Sequence, residues 1–244
     1  MFPIQDTIPS RSFPLMNWAL IGLNVFVFFI QASLPPDEIE YFIRQWGLVP
    51  ADFSGVYGRP ESIFDYYPFL TNMFLHGGIG HLIGNMWTLY IFGDNVEDRM
   101  GKFRYLVFYV LCGVIASYTH YVLNIESVIP AVGASGAISG VMGAYMLMFP
   151  HSRIIFVFPF FFLPYFFEIS AFVYLALWFL GQLLSGTTML FAGQDGPGIA
   201  FWAHIGGFVA GMGLFKFFDK GIRGYRTANP YDWKHRYRDY YSDF

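Results

Sequence analysis

Six stretches of the chain run without an Asp, Glu, Lys or Arg: 12–36, 66–93, 105–125, 127–152, 169–194 and 196–215. Each reaches the length of about 20 residues that a helix needs to cross a bilayer. None shows the strict apolar–polar alternation of a transmembrane barrel strand. The pattern therefore predicts helices over 15–33, 71–92, 104–124, 133–150, 165–186 and 200–218. A further apolar stretch, 154–167, is short and broken by Pro159 and Pro164, and it reads as the lead-in to the fifth helix.

Composition agrees with a membrane chain. Hydrophobic residues make up 55% of the 244 positions and charged residues only 13%, where a soluble domain carries about a quarter. The expected fold class is an all-α membrane protein, a bundle of six transmembrane helices with a long structured loop over 34–70. A net charge of −3 excludes a nucleic-acid binder that works through a basic face. The single Cys112 excludes an intramolecular disulfide, and no Cys/His pattern points to a metal.

Charge also predicts orientation. Of the 14 Lys and Arg, only Arg44 and Arg59 fall outside the N-terminal arm, the 2–3 and 4–5 loops and the C-terminal tail. The positive-inside rule then places both termini in the cytoplasm, in a multi-pass protein of the cell membrane. The expected division is a cytoplasmic arm over 1–14, the bundle over 15–218 and a basic tail over 219–244. The first apolar segment lacks an A-x-A site and reads as a retained helix. The loop mixes acids with Phe42, Trp46, Phe53, Phe64, Tyr66, Tyr67 and Phe69, a composition suited to an ordered element at the outer interface or to an ordinary external loop.

Polar groups at membrane depth are costly and call for a reason. Gly77, His81, Asn85 and Thr88 share one face of the second helix. Ser135 and Ser139 lie one turn apart on the fourth, and His204, Gly207 and Gly211 share a face of the sixth. Gly80-x-x-x-Gly84, Gly136-x-x-x-Gly140 and Gly207-x-x-x-Gly211 are patterns that let helices approach closely. In the topology set by charge, Ser135, His204, His81 and Asn85 all fall in the outer half of the membrane, so one cavity can hold them. Each feature alone fits simple packing, and Ser139 fits a bond to its own helix.

Together they fit acyl transfer to water. Ser135 is the candidate nucleophile and His204 its base. His81, Asn85 and the Ser135 backbone N–H are candidate oxyanion donors. Gly133 and Gly136 keep the Ser135 backbone accessible, and Gly207 lets the fourth and sixth helices meet. No acid lies within the second, fourth or sixth span to complete a triad, so the expected machinery is a two-residue dyad.

The motifs His81-Leu-Ile-Gly-Asn85, Gly133-Ala-Ser135-Gly136 and Ala203-His204-Ile-Gly206-Gly207 resemble the signature of rhomboid intramembrane serine proteases. Trp46-Gly-Leu-Val-Pro50 and Gly93-Asp-Asn-Val-Glu97-Asp-Arg-Met-Gly101 resemble two further segments of that family. The resemblance implies Ser135 as nucleophile, His204 as base, and His81, Asn85 and the Ser135 N–H as oxyanion hole. It gives His76 and Glu97 supporting, structural roles. It implies transmembrane protein substrates, reached sideways through the lipid between the second and fifth helices, with no cofactor, metal or nucleic acid. The 192–198 loop would then belong to a moving cap. Many relatives carry an aromatic ring four residues after the serine to stack on the histidine; here that position is Ser139.

Two other classes compete. Histidines on two helices suit a haem or proton-relay protein, against which stands the absence of a mid-membrane acid. An inactive adaptor of the same fold would lack the serine or the histidine, and both are present.

Overall fold

The computed structural model describes residues 2–55, 60–161, 163–192 and 200–220. In chain order its elements are β1 (Phe2–Asp6), α1 (Leu15–Ala32), α2 (Pro36–Trp46), α3 (Pro68–Thr71), α4 (Ile79–Met100) and α5 (Lys102–Leu123), then α6 (Ser135–Met148), β2 (Arg153–Phe160), β3 (Leu163–Ser170), α7 (Ala171–Ala192) and α8 (Phe201–Phe218). The expected helices correspond to α1, α4, α5, α6, α7 and α8. Four segments are long and apolar enough to cross a membrane: α1, α5, α8 and the Ala171–Met189 part of α7. The last turns of α4 carry Asp94, Glu97, Asp98 and Arg99, and α6 has only 14 residues. Several helices start later than expected. Gly77 and Gly78 precede α4, which begins at Ile79 and not at 71, and α6 begins at Ser135 and not at 133.

The all-α expectation is corrected by a three-stranded antiparallel sheet of order β1-β2-β3. The stretch read as a lead-in to the fifth helix is instead the β2–β3 hairpin, pairing Arg153 with Ser170 through to Phe160 with Leu163. Pro159 and Pro164 face each other in it and oppose a helix, while Ile154, Ile155, Val157 and the phenylalanines favour a pleated surface. Glu168 lies on β3, 3.6 Å from Arg153, and the fifth helix starts at Ala171, not 165. The N-terminal arm supplies β1, in register Phe2 with Val157 to Asp6 with Ile154.

The Asp6 carboxylate accepts hydrogen bonds from Asn95 Nδ2 at 2.9 Å and from the Tyr145 hydroxyl. Burial pushes the Asp6 carboxyl well above the usual carboxylate range; the Tyr145 hydrogen bond opposes the shift and nearby Asp94 adds to it. A carboxyl raised in the folded state favours folding while it stays protonated. Its contribution is lost as pH climbs past the unfolded value of about 3.9. Asp6→Asn keeps an acceptor for both donors and cannot ionise. It is expected to raise the thermal midpoint at pH 8 relative to the parent, with the gap closing toward pH 4, as read by unfolding in detergent.

Helix α6 sits at the centre, buried on nearly every side among α4, α5 and α8. The close approach of α6 to α8 rests on glycine. A Cβ on Gly207 would overlap the carbonyl oxygen of Gly136, and one on Gly211 would overlap that of Gly140. The Gly80 and Gly84 pattern has no such partner; a Cβ at either would meet open space.

The far end of the bundle from Ser135, marked by Arg99, Lys102 and Arg104, is tied by the Gly93–Gly101 segment. Glu97 accepts the N–H groups of Met16 (3.1 Å) and Asn17 (2.7 Å), satisfying the first turn of α1. Asp98 accepts from the Arg11 N–H (2.6 Å) and the Ser12 hydroxyl (2.5 Å). Arg99 pairs with Asp219 just beyond α8, with Nε 3.0 Å from the carboxylate.

Candidate active site

Ser135 opens α6 because the chain leaves the helical region at Gly133, two residues before it. Gly133 has φ +132°, a conformation costly for any residue with a Cβ. Three contacts hold that loop. Leu48 and Ala131 exchange backbone hydrogen bonds of 3.0 and 2.8 Å, and the Gly133 N–H donates to the Asn72 carbonyl at 2.9 Å. The Trp46–Pro50 motif thus acts on the loop that carries the serine, although it lies far away in sequence.

From the first turn of α8, His204 reaches across the glycine contact. Its Nε2 lies 2.7 Å from Ser135 Oγ. Its Nδ1 lies 2.7 Å from Oε1 of Gln182, on α7. An amide oxygen only accepts, so this bond places the ring proton on Nδ1 and leaves Nε2 to accept from the serine hydroxyl. Ser139 is turned away, donating to the Ser135 carbonyl at 2.6 Å as expected for a serine inside a helix. The ring beside His204 is Trp178, also on α7, with centroids 5.9 Å apart.

His81 and Asn85 converge on the same loop from α4. A Cβ on Gly133 would lie 2.6 Å from His81 Cε1, 2.8 Å from its Nε2 and 3.6 Å from Asn85 Nδ2. Asn85 Nδ2 is buried and has no hydrogen-bond partner among the described residues. A buried donor without an acceptor is costly, and beside a serine it is a place to receive developing negative charge. The first backbone N–H groups of α6, with no partner inside the helix, add to the same end. A cavity opens next to Ser135, lined among others by Asn72, Ser117, His120, Gly136 and Ala203.

The structure thus brings Ser135, His204, His81, Asn85 and Gly133 together, with Gly136 and Gly207 in the helix contact behind them. His76 stands one layer back. Its ring meets His81 edge to face at 5.2 Å, and its backbone is clamped by Gln31 of α1 through bonds of 2.7 and 3.3 Å. Glu97 is not at the site; twelve residues separate it from Asn85 on α4, about 18 Å at 1.5 Å per residue. Gln182, Trp178, Asn72 and Gln31 were not singled out in the sequence. A lone amide in an otherwise uncharged 22-residue helix is the signal that marks Gln182. No group of three or more His, Cys, Asp or Glu able to hold a metal occurs among the described residues. Of the 192–198 loop, 193–198 lies outside the described residues, as does the tail from 221 onward.

Fold and site together define a multi-pass helical membrane protein with a serine and a histidine paired inside its bundle. The Rhomboid domain model matches residues 64–218, and the chain belongs to the rhomboid family. It is 29% identical over 143 residues to the mitochondrial presenilin-associated rhomboid-like protein of Bos taurus, covering 57% of this chain and 34% of that protein. It is 29% identical over 147 residues to the mitochondrial rhomboid protein 1 of Saccharomyces cerevisiae, covering 58% and 39%. It is 36% identical over 148 residues to the rhomboid protease GluP of Bacillus subtilis, covering 59% and 26%. The matches span about a third of the length of these relatives.

Proposed function

We propose that this chain is an intramembrane serine endopeptidase, with Ser135 as nucleophile and His204 as general base. The observation that carries the reading is the 2.7 Å approach of His204 Nε2 to Ser135 Oγ, with Nδ1 already engaged. In the first half-reaction Nε2 takes the hydroxyl proton as Oγ attacks a peptide carbonyl. The resulting oxyanion draws on Asn85 Nδ2, the His81 ring and the Ser135 N–H. Nε2 then gives its proton to the leaving amine, and a water repeats the sequence to release the acid and regenerate the serine. His76, Glu97, Gly133, Gly136 and Gly207 serve by holding these groups in place. The reaction needs no metal or cofactor, and cleavage is expected to persist in chelator.

In this reading α4 and α6 cross the membrane along with the four long apolar spans, giving six. Both termini face the cytoplasm, in a cell membrane. Residues 15–218 form the protease domain, between an N-terminal arm and a basic tail. The substrates are transmembrane proteins that reach Ser135 from the lipid between α4 and α7. The test is cleavage of a single-span model substrate by the purified chain in mild detergent, paired with labelling by a fluorophosphonate. Labelling mapped to Ser135 supports the reading. Cleavage without labelling, unchanged in Ser135→Ala, overturns the assignment.

Gln182 positions the base in this scheme by accepting from Nδ1. Gln182→Leu removes the acceptor and is expected to lower kcat about 10- to 100-fold, the usual cost of losing an outer-shell partner, with KM unchanged. Gln182→Glu keeps an acceptor there and is expected to recover most of the loss. A purely structural role would make both substitutions alike.

A further inference from the structure

The sheet is oriented by two hydrogen bonds to α4. At one end of β1, Asp6 meets Asn95; at the other, the Pro3 carbonyl accepts from Trp87 Nε1 at 2.6 Å. Eight residues of α4 separate those partners, a rise of about 12 Å at 1.5 Å per residue. Three residues of strand cover roughly 10 Å. β1 therefore lies along α4, with Asp6 toward the basic end and Phe2 toward the interior of the bundle's span. β2 is antiparallel to β1 and starts level with Asp6, so the hairpin climbs away from the basic end. Its turn lies four residues past the partner of Phe2, about 13 Å further along the strand.

Chemistry follows that direction. The only acidic or basic residues of the hairpin, Arg153 and Glu168, are paired at its base, and none occurs over 154–167. The lower half is packed inside, with Ile154, Ile155 and Phe156 buried. The upper half is exposed: Phe161 is 85% exposed, Leu163 75% and Tyr165 63%. Prolines at 3, 159 and 164 remove backbone donors that would be stranded away from water. The same sheet touches α7, where the Phe156 and Tyr174 rings lie 5.3 Å apart. Beyond it, α7 exposes Phe172, Val173, Leu177, Leu180 and Leu184 in a continuous apolar surface.

From this geometry we infer that the β2–β3 hairpin is inserted into the bilayer, its upper half surrounded by lipid acyl chains, and that the sheet bridges α4 and α7 on the side of the basic end. An apolar face this large is not left to water in a membrane protein. Its continuity with the lipid-facing side of α7 identifies hydrocarbon as what covers it.

The test needs no enzymatic activity and does not depend on the protease reading. Phe161→Cys and, as a reference, Ser10→Cys are labelled with an environment-sensitive fluorophore and reconstituted into phosphatidylcholine–phosphatidylglycerol vesicles. Both positions are exposed, which leaves room for a fluorophore. Cys112 is buried, and the labelled parent controls for it. The expected result is blue-shifted emission at 161, quenched by nitroxides on the acyl chains and indifferent to aqueous iodide, with the reverse at Ser10. Iodide quenching at 161 equal to that at Ser10 overturns the inference. Shielding from both quenchers, relieved by diluting the protein in the vesicles, also overturns it, because a second copy would then be the cover.

Discussion

Ser135→Ala is expected to lower cleavage by about four orders of magnitude or more while leaving the fold intact. Among the described residues the serine side chain makes one polar contact, with His204, and it is half-buried at the head of α6. Removing its oxygen leaves no core void and no stranded donor, so the unfolding midpoint should hold. His204→Ala is expected to cost about as much, and the double variant no more than either single one. Groups that act in one proton transfer fail together, and what remains comes from substrate binding and the oxyanion donors. Additive losses would mean that the two residues act separately, against the dyad. The measurement is kcat/KM on a single-span substrate with thermal unfolding of each variant.

The second large effect is on folding. Gly211→Ala places a Cβ against the Gly140 carbonyl, and backbone cannot swing aside as a side chain can. The helices must separate, at a cost of about 3 kcal/mol, the upper range for overpacking. That separation would also part Ser135 from His204, so activity and stability should fall together. Gly84→Ala on α4 is the matched control. Nothing lies within 4 Å of its Cβ, and alanine is the better helix former by about 0.5–1 kcal/mol. It is expected to be neutral or slightly stabilising. Denaturant unfolding in mixed micelles separates the two outcomes.

The contrast between these glycines shows what sequence can and cannot tell. Three small-x-x-x-small patterns look alike in the chain. Two of them, on α6 and α8, meet each other, and the third faces outward, because spacing defines a face but not its neighbour. Helix positions were legible because uncharged runs have few ways to exist. The 154–167 stretch was misread for the same reason: an apolar run beside a membrane helix has no period to say strand, and only its two prolines argued against helix. β1 was invisible, since its five residues pair with a partner about 150 residues away. At the site, the motifs exposed every residue that faces Ser135 from α4 and α8. Gln182 was missed because its meaning comes from α7 standing beside α8, which no local pattern encodes.

That placement couples the His204 contact to the helix that faces the lipid. The acceptor bonded to His204 is carried on α7, a helix with long apolar side chains facing outward along its length. Helices answer a change in bilayer thickness by tilting, at fractions of a kcal/mol per Å of mismatch. A tilt of α7 would carry Gln182 with it and turn the imidazole away from the serine. Turnover is therefore expected to track acyl-chain length, peaking where hydrocarbon thickness matches α7, and Gln182→Leu should flatten that dependence. On the proposed mechanism, the lipid around the protein would act as a tuning element for its chemistry.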